Sequence, residues 1–202
     1  MLLLVSGATR TVDRLRSNRR IGRLLRPGNG NLPDDLPWAV DNGAFAAFDP
    51  DAFRSLLLRV RGLAGCHFVA APDVVGDHVA TLARFDVWER MLHQGGFPVA
   101  FVLQDGATSS SVPWDSFEAL FVGGSTAFKL GPIAMAIGRE AKRRGKWLHV
   151  GRVNRARRMR MAHQMGADSI DGTGFSRWPD ALIPWALRQL EDIERQEVLP
   201  WR

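Results

Sequence analysis

The chain has 202 residues, 46% hydrophobic and 24% charged, a balance that fits one soluble domain large enough to bury a sizeable core. No apolar run approaches the roughly 20 residues of a membrane span, the opening MLLLV is too short and lacks the basic leader and cleavage site of a signal peptide, and the single Cys66 excludes an internal disulfide and any multi-cysteine zinc site. A net charge of +6, with a pI near 10.8, comes mainly from arginines clustered at 10–26, 139–146 and 152–160; such an excess suits a polyanion gripped by guanidinium forks, the alternative being a merely solvated basic surface.

Taken in chain order, LLLVSGA (2–8) reads as a first strand. Thr11 to Pro37 holds a basic helix candidate and then RPGNGNLPDDLP, a run of turn formers expected to be mobile. WAVDNGAF (38–45) is the next apolar run. Asp49-Pro50 then opens a helix, with an acidic cap and a proline in the first turn, carrying Phe53, Leu56, Leu57 and Val60 on one face. HFVAAPDVVG (67–76) leads into a helix over 77–94, for which Val79, Leu82, Ala83 and Val87 supply the helical spacing. VAFVLQDG (99–106) and ALFVGGS (119–125) follow. A helix from Pro132 to Arg144 begins at a proline and ends in a basic turn before Gly145. WLHVGRVN (147–154) precedes Val153, Ala156, Met159, Ala162 and Met165, which recur every third residue until Gly166. SIDGTGFS (169–176) is the last run, and a final helix passes through Leu187, Leu190 and Ile193.

Seven continuous apolar runs alternating with helices are what strands buried on both faces of a parallel sheet produce. An open doubly wound sheet and a closed barrel both fit. Polar residues at the end of nearly every strand, and no Gly-rich dinucleotide loop after the first, favour a TIM-type (β/α)8-like barrel over residues 1–202. Its eighth strand is expected to be missing, very short or irregular.

If the strand ends share one mouth, Asp41, Asp73, Gln104, Gly123, Gly124 and Asp171 converge there, and carboxylates in one pocket can divide the roles of acid and nucleophile. Each has a plainer reading: Asp41-Asn42-Gly43 as a turn, Asp73 as the cap of the following helix, Asp171-Gly172 as a turn. The histidines at 67, 78, 93, 149 and 163 show no metal-ligand spacing. His149 near its strand end reads first as a packed core histidine, and the seven tryptophans read mostly as core with some capacity to stack on bases.

In their order along the chain, AVDNGAF, PDVVGD, VLQDG, FVGGS and GADSIDGTGFSR resemble five motifs of the tRNA-guanine transglycosylase superfamily, over about Trp38 to Arg177. The resemblance implies a general acid/base at Asp41 and a nucleophile at Asp171. It also implies base-binding groups at Asp73, Gln104, Gly106, Gly123 and Gly124. The chain departs from the pattern at Ala44, Asp105 and Phe175-Ser176, and it shows no cysteine-rich zinc site or further helical region after the nucleophile segment. In that short, arginine-rich form it looks most like the phage DNA-guanine transglycosylases that install 7-deazaguanine bases of the preQ0 type.

The expected activity is therefore exchange of guanine in DNA for a 7-deazaguanine through a covalent glycosyl-aspartate, without metal or cofactor, in the cytoplasm and without a membrane. Arg152, Arg155, Arg157, Arg158 and Arg177 are the candidates for holding DNA phosphates. Glycine after Asp171 is expected to let a sugar approach closely. The alternatives are a compact tRNA or nucleoside guanine transglycosylase and a non-catalytic nucleic-acid-binding barrel.

Overall fold

A computed structural model describes residues 1–7, 10–28, 30 and 32–198. Eight parallel strands close into a barrel in strict sequence order: β1 (Leu2–Ser6), β2 (Ile21–Leu25), β3 (Trp38–Val40), β4 (Cys66–Ala70), β5 (Val99–Leu103), β6 (Ala119–Val122), β7 (Trp147–Val150) and β8 (Ser169–Asp171). Helices surround it: α1 (Arg10–Arg14), α2 (Pro50–Val60), α3 (His78–Gln94), α4 (Thr126–Lys129), α5 (Pro132–Arg143), α6 (Ala156–Met165), α7 (Thr173–Arg177) and α8 (Pro179–Val198). β8 closes on β1, pairing Leu2 with Ser169 and Leu4 with Asp171. This is the TIM-barrel architecture. No helix among the described residues is long and apolar enough to cross a membrane.

The strand that sequence reasoning does not find is β2, which is regular and fully buried. IGRLL lies in a stretch with seven arginines, one of which, Arg23, breaks its apolar run. That arginine is nevertheless only 4% exposed. Its guanidinium donates to the Gly7 carbonyl at 3.1 Å and to the carboxylates of Asp13 at 3.0 Å and Asp34 at 3.4 Å. A buried cation is tolerated when it is paired and hydrogen-bonded in this way. The basic helix expected in this stretch shrinks to the five residues of α1. Of the loop expected to be mobile, Asn29 and Asn31 lie outside the described residues.

Side chains along each strand alternate between barrel interior and helix-facing shell. Leu4, Leu24, Ala39, Phe68, Ala100 and Ala119 form the inner cluster, with Phe121 and Trp147 packed against it. Their neighbours Leu3, Val5, Leu25, Trp38, Val69, Val99, Phe101 and Ile170 belong to the outer core under the helices. The same parity carries Ser6, Arg26, Asp41, Gln104, Gly123, His149 and Asp171 inward, and this is what builds the site.

The helices follow their sequence signals with one correction. α2 is capped by the Asp49 side chain and buries Phe53, Leu56, Leu57 and Val60. α5 starts at Pro132, and α6 ends at Gly166, which takes the left-handed φ of 87° of a C-cap. In α3 the buried face is His78, Thr81, Phe85, Trp88 and Leu92, whereas Val79 and Val87 are largely exposed. The aromatic rings decide the face: Trp88 packs edge-on against Phe48 and Phe53, and Phe85 against Phe101, removing more apolar area than the valine stripe offers.

Candidate active site

The C-terminal ends of the strands enclose a cavity of about 170 Å³. That is below the roughly 300–1,000 Å³ of sites for drug-sized ligands, so it suits one small planar group with the remainder of a larger substrate outside. Asp41, Asp73, Gln104, Gly123, Gly124, Arg152 and Asp171 all line it. Asp41, just past β3, and Asp171, the last residue of β8, thus face one space.

Asp171 is held from two sides. The Arg152 backbone N–H donates to Oδ1 at 2.6 Å, and His149 Nε2 lies 3.3 Å from Oδ2. Arg152 achieves this with a positive φ of 60°, a conformation that a non-glycine residue adopts at a cost and that here aims its N–H at the carboxylate. Burial alone would push the Asp171 pKa up. The hydrogen bond and charge of His149, the Arg152 N–H and the nearby Lys129 ammonium outweigh it and hold the carboxyl below the usual carboxylate range.

Beneath Asp171 a chain of donors climbs the barrel interior. The Trp147 indole N–H donates to Ser169 Oγ at 2.9 Å, and Ser169 Oγ lies 2.9 Å from His149 Nδ1. An ionised Asp171 can only accept, so His149 must present Nε2–H to it, while Nδ1 on the other side of the ring meets Ser169 Oγ. His149 is fully buried between Phe68 and Phe121. It is a packed core histidine, as the sequence suggests, and also the neighbour of Asp171.

Asp41 sits in the opposite electrostatic condition. Burial raises its pKa, the Gly43 N–H bond at 2.9 Å opposes the rise, and the negative charge of Asp171 adds to it. The Asp-Asn-Gly turn is therefore real, and its first residue still lines the cavity. Asn42 turns the other way, donating to the Ala71 carbonyl at 2.7 Å and to Asp73 Oδ1 at 2.8 Å. Asp73 does not cap α3; Asp77 does. Asp73 is buried, with Gln104 Nε2 donating to its Oδ2 at 2.5 Å, and burial raises its pKa too. Gln104 Oε1 accepts from Gly76 N–H at 2.9 Å, which fixes the amide and leaves one Nε2 hydrogen for the cavity.

The glycines have internal reasons. A Cβ on Gly172 would run into Asn154 and Phe175, so packing behind β8 by itself calls for glycine here, and the residue also lines the cavity. Gly123 gives its N–H to the Leu103 carbonyl, leaving the Gly124 N–H without a partner among the described residues. Gly124 has a φ of 76° and lies against Asp105, whose carboxylate accepts from Ser125 N–H and Oγ and ties the β5 and β6 loops together. Asp105 thus has a structural task at the position where the resembled motif carries glycine.

Not every residue singled out in the sequence reaches the cavity. Gly106 forms a left-handed turn after β5 and is not part of its lining. Arg155 and Arg157 are exposed at the start of α6, and Arg158 donates to the Arg152 carbonyl at 3.2 Å. Arg177 is exposed beside Trp178. Arg152 does enter, donating to the Gly124 carbonyl at 2.7 Å with its guanidinium 4.3 Å over the exposed Phe45 ring. Sequence reasoning overlooked Ser6 and Arg26, which strand parity would have supplied had β2 been recognised. It also overlooked Lys129, for which four-residue α4 gave no signal. Lys129 is buried and donates to the Gly151 carbonyl at 3.1 Å; burial, with Arg152 nearby, pushes its pKa down to about 8.

No protein-family model and no curated protein matches the chain.

Proposed function

We propose that the protein is a base-exchange transglycosylase that replaces guanine in DNA with a 7-deazaguanine through a covalent glycosyl-aspartate. The observation that carries this reading is the pairing of Asp41 and Asp171, 130 positions apart in sequence, in one cavity with their pKa values driven in opposite directions. One carboxyl kept charged and one kept protonated is the division that nucleophilic displacement at a glycosidic carbon requires.

In this reading Asp171 attacks C1′, the C1′–N bond breaks, and the electron pair leaves with guanine, which takes the proton of Asp41. The sugar remains esterified to Asp171. The incoming base gives its ring proton to Asp41 as its nitrogen attacks C1′, and the carboxylate is released. The base's Watson–Crick donors have Asp73 to accept them, and its O6 has the free Gln104 hydrogen and the Gly124 N–H. Phe45, 68% exposed at the rim, offers a face for stacking. A 7-deazaguanine keeps the same edge, so one pocket serves both bases. The small cavity fits a flipped-out base with its strand outside.

The test is incubation with guanine-containing DNA, or with tRNA, and labelled 7-deazaguanine. Incorporation into DNA and its loss in Asp171→Asn, together with loss of a trapped covalent DNA adduct and retention of DNA binding, is the expected result. Exchange by Asp171→Asn would overturn the nucleophile, and incorporation into tRNA alone would overturn the substrate.

A further inference from the structure

Among the described residues three cations line the cavity, and two are committed. Lys129 is bound to the Gly151 carbonyl, and Arg152 to the Gly124 carbonyl and the Phe45 ring. Arg26, carried inward just past the end of β2, makes no hydrogen bond or ion pair with any described residue, and its Nε is shielded from solvent without an acceptor. Arg23 also has an unpartnered Nε, but its other two nitrogens are bonded. The charge of Arg26 opposes the rise of the Asp41 pKa but does not satisfy the arginine's own N–H groups, and a guanidinium in a cleft without a hydrogen-bond acceptor calls for one from elsewhere.

The placement of the remaining polar groups says which acceptor. The carboxylate and amide groups suited to a base edge, Asp73, Gln104 and Gly124, stand over β4, β5 and β6. Across the barrel, over β8, β1 and β2, the lining is Thr173, Ser176, Ser6 and Arg26. Ser176 donates to the Ser6 carbonyl at 2.5 Å, and the two hydroxyls lie 2.8 Å apart, so their protons are spent on each other. Among the described residues that wall is therefore neutral hydroxyl with one free cation, and Asp171 and Asp41 stand at its two ends. An anion fits there without meeting a carboxylate in between.

We infer that Arg26 is the anchor of a phosphate subsite, gripping a backbone phosphate next to the nucleotide whose C1′ faces Asp171, so that the substrate is a strand rather than a free nucleoside. This deepens the transglycosylase reading and rests on it for the identity of the sugar. The guanidinium fork matches two phosphate oxygens, which an ammonium cannot do in a fixed geometry. A phosphate on the β8–β1–β2 side and a base on the β4–β6 side leave the sugar between the two carboxyls.

The experiment pairs protein and substrate changes. A fluorescent oligodeoxynucleotide with one guanine is made with a neutral methylphosphonate in place of the phosphate 5′ or 3′ to that guanosine. Binding by anisotropy and base exchange are measured for the wild type, Arg26→Ala and Arg26→Lys. One of the two substitutions should weaken wild-type binding about tenfold or more. Arg26→Ala should be weakened by a similar factor on the native strand and be indifferent to the substitution, with Arg26→Lys between them. Equal methylphosphonate penalties in wild type and Arg26→Ala would overturn the subsite, as would a variant whose only change is in the pH profile, the mark of an arginine that merely tunes Asp41. Exchange with no such coupling sinks this inference alone. The coupling without exchange sinks the transglycosylase reading and leaves a strand-binding cleft.

Discussion

His149 Nε2 faces Asp171 Oδ2 at 3.3 Å inside the barrel, and the histidine has no exposure to solvent. Its orientation comes from Ser169 and Trp147 below, so the carboxylate is positioned by residues that do not line the cavity. His149→Gln should lower exchange about tenfold to a hundredfold, the worth of one hydrogen bond to a charged group. Losing a donor raises the Asp171 pKa, so the acidic limb of the pH–rate profile should move to higher pH. Ser169→Ala should move it the same way by less. A uniform loss at every pH would mean that His149 is only packing.

Asp41 makes an opposite prediction for stability. Its folded pKa is raised above the unfolded value, so its favourable contribution is complete below the unfolded pKa and is lost as pH rises through the folded one. At neutral pH the unfolded chain ionises this carboxyl freely while burial in the folded protein resists that ionisation, so the residue opposes folding. Asp41→Asn should therefore raise the melting temperature at pH 7–8, by about 2–4 °C for each kcal/mol relieved. The gain should vanish in acid, where both side chains are neutral. Thermal scans across pH check it; a destabilised variant at pH 7.5 would contradict the assignment. The same variant should exchange bases poorly, since no proton reaches the departing purine.

Arg155 and Arg157 are exposed at the start of α6 and their side chains make no hydrogen bond or ion pair with any described residue, unlike Arg158, which holds the Arg152 carbonyl. Changing both to Ala should weaken strand binding at low salt without altering exchange on bound substrate. The slope of log affinity against log salt should flatten by about 0.9 for each phosphate no longer neutralised. An unchanged slope would remove this end of α6 from the nucleic-acid face.

Gly172 tests how the nucleophile strand is packed. Its φ of −173° suits any residue, so the cost of Gly172→Ala comes only from the collision of a Cβ with Asn154, Phe175 and Val153. Overpacking of this kind costs about 1–3 kcal/mol and would be read from chemical denaturation. Asn154 also accepts from Gly174 N–H at 3.0 Å, so the shift should reach α7 and reduce exchange as well. Wild-type stability in the variant would show that β8 has room to spare.

Strand character was legible wherever apolar residues ran without interruption, and helix ends wherever Asp49, Pro132 or Gly166 supplied a physical stop. Two things hid the rest. IGRLL carries a charge on its outward face, and only the carboxylates of Asp13 and Asp34, brought in from other segments, make that burial tolerable. The face of α3 depends on which rings meet across elements, and valine spacing within the helix says nothing of that. Asp41, Asp73, Gln104 and Asp171 could be placed because each ends a recognisable strand. Ser6 ends one too, but hydroxyls are too common at strand ends to mark a site. Arg26 was lost with β2, and Lys129 with a helix of one turn.

The pairing of Leu4 with Asp171 joins the opening strand to the closing one. Asp171 is therefore seated only when two segments widely separated along the chain meet, and such long-range pairings are the slow ones to form. For the proposed transglycosylase, closing the barrel is therefore a condition that has to be met before any attack on a sugar–base bond.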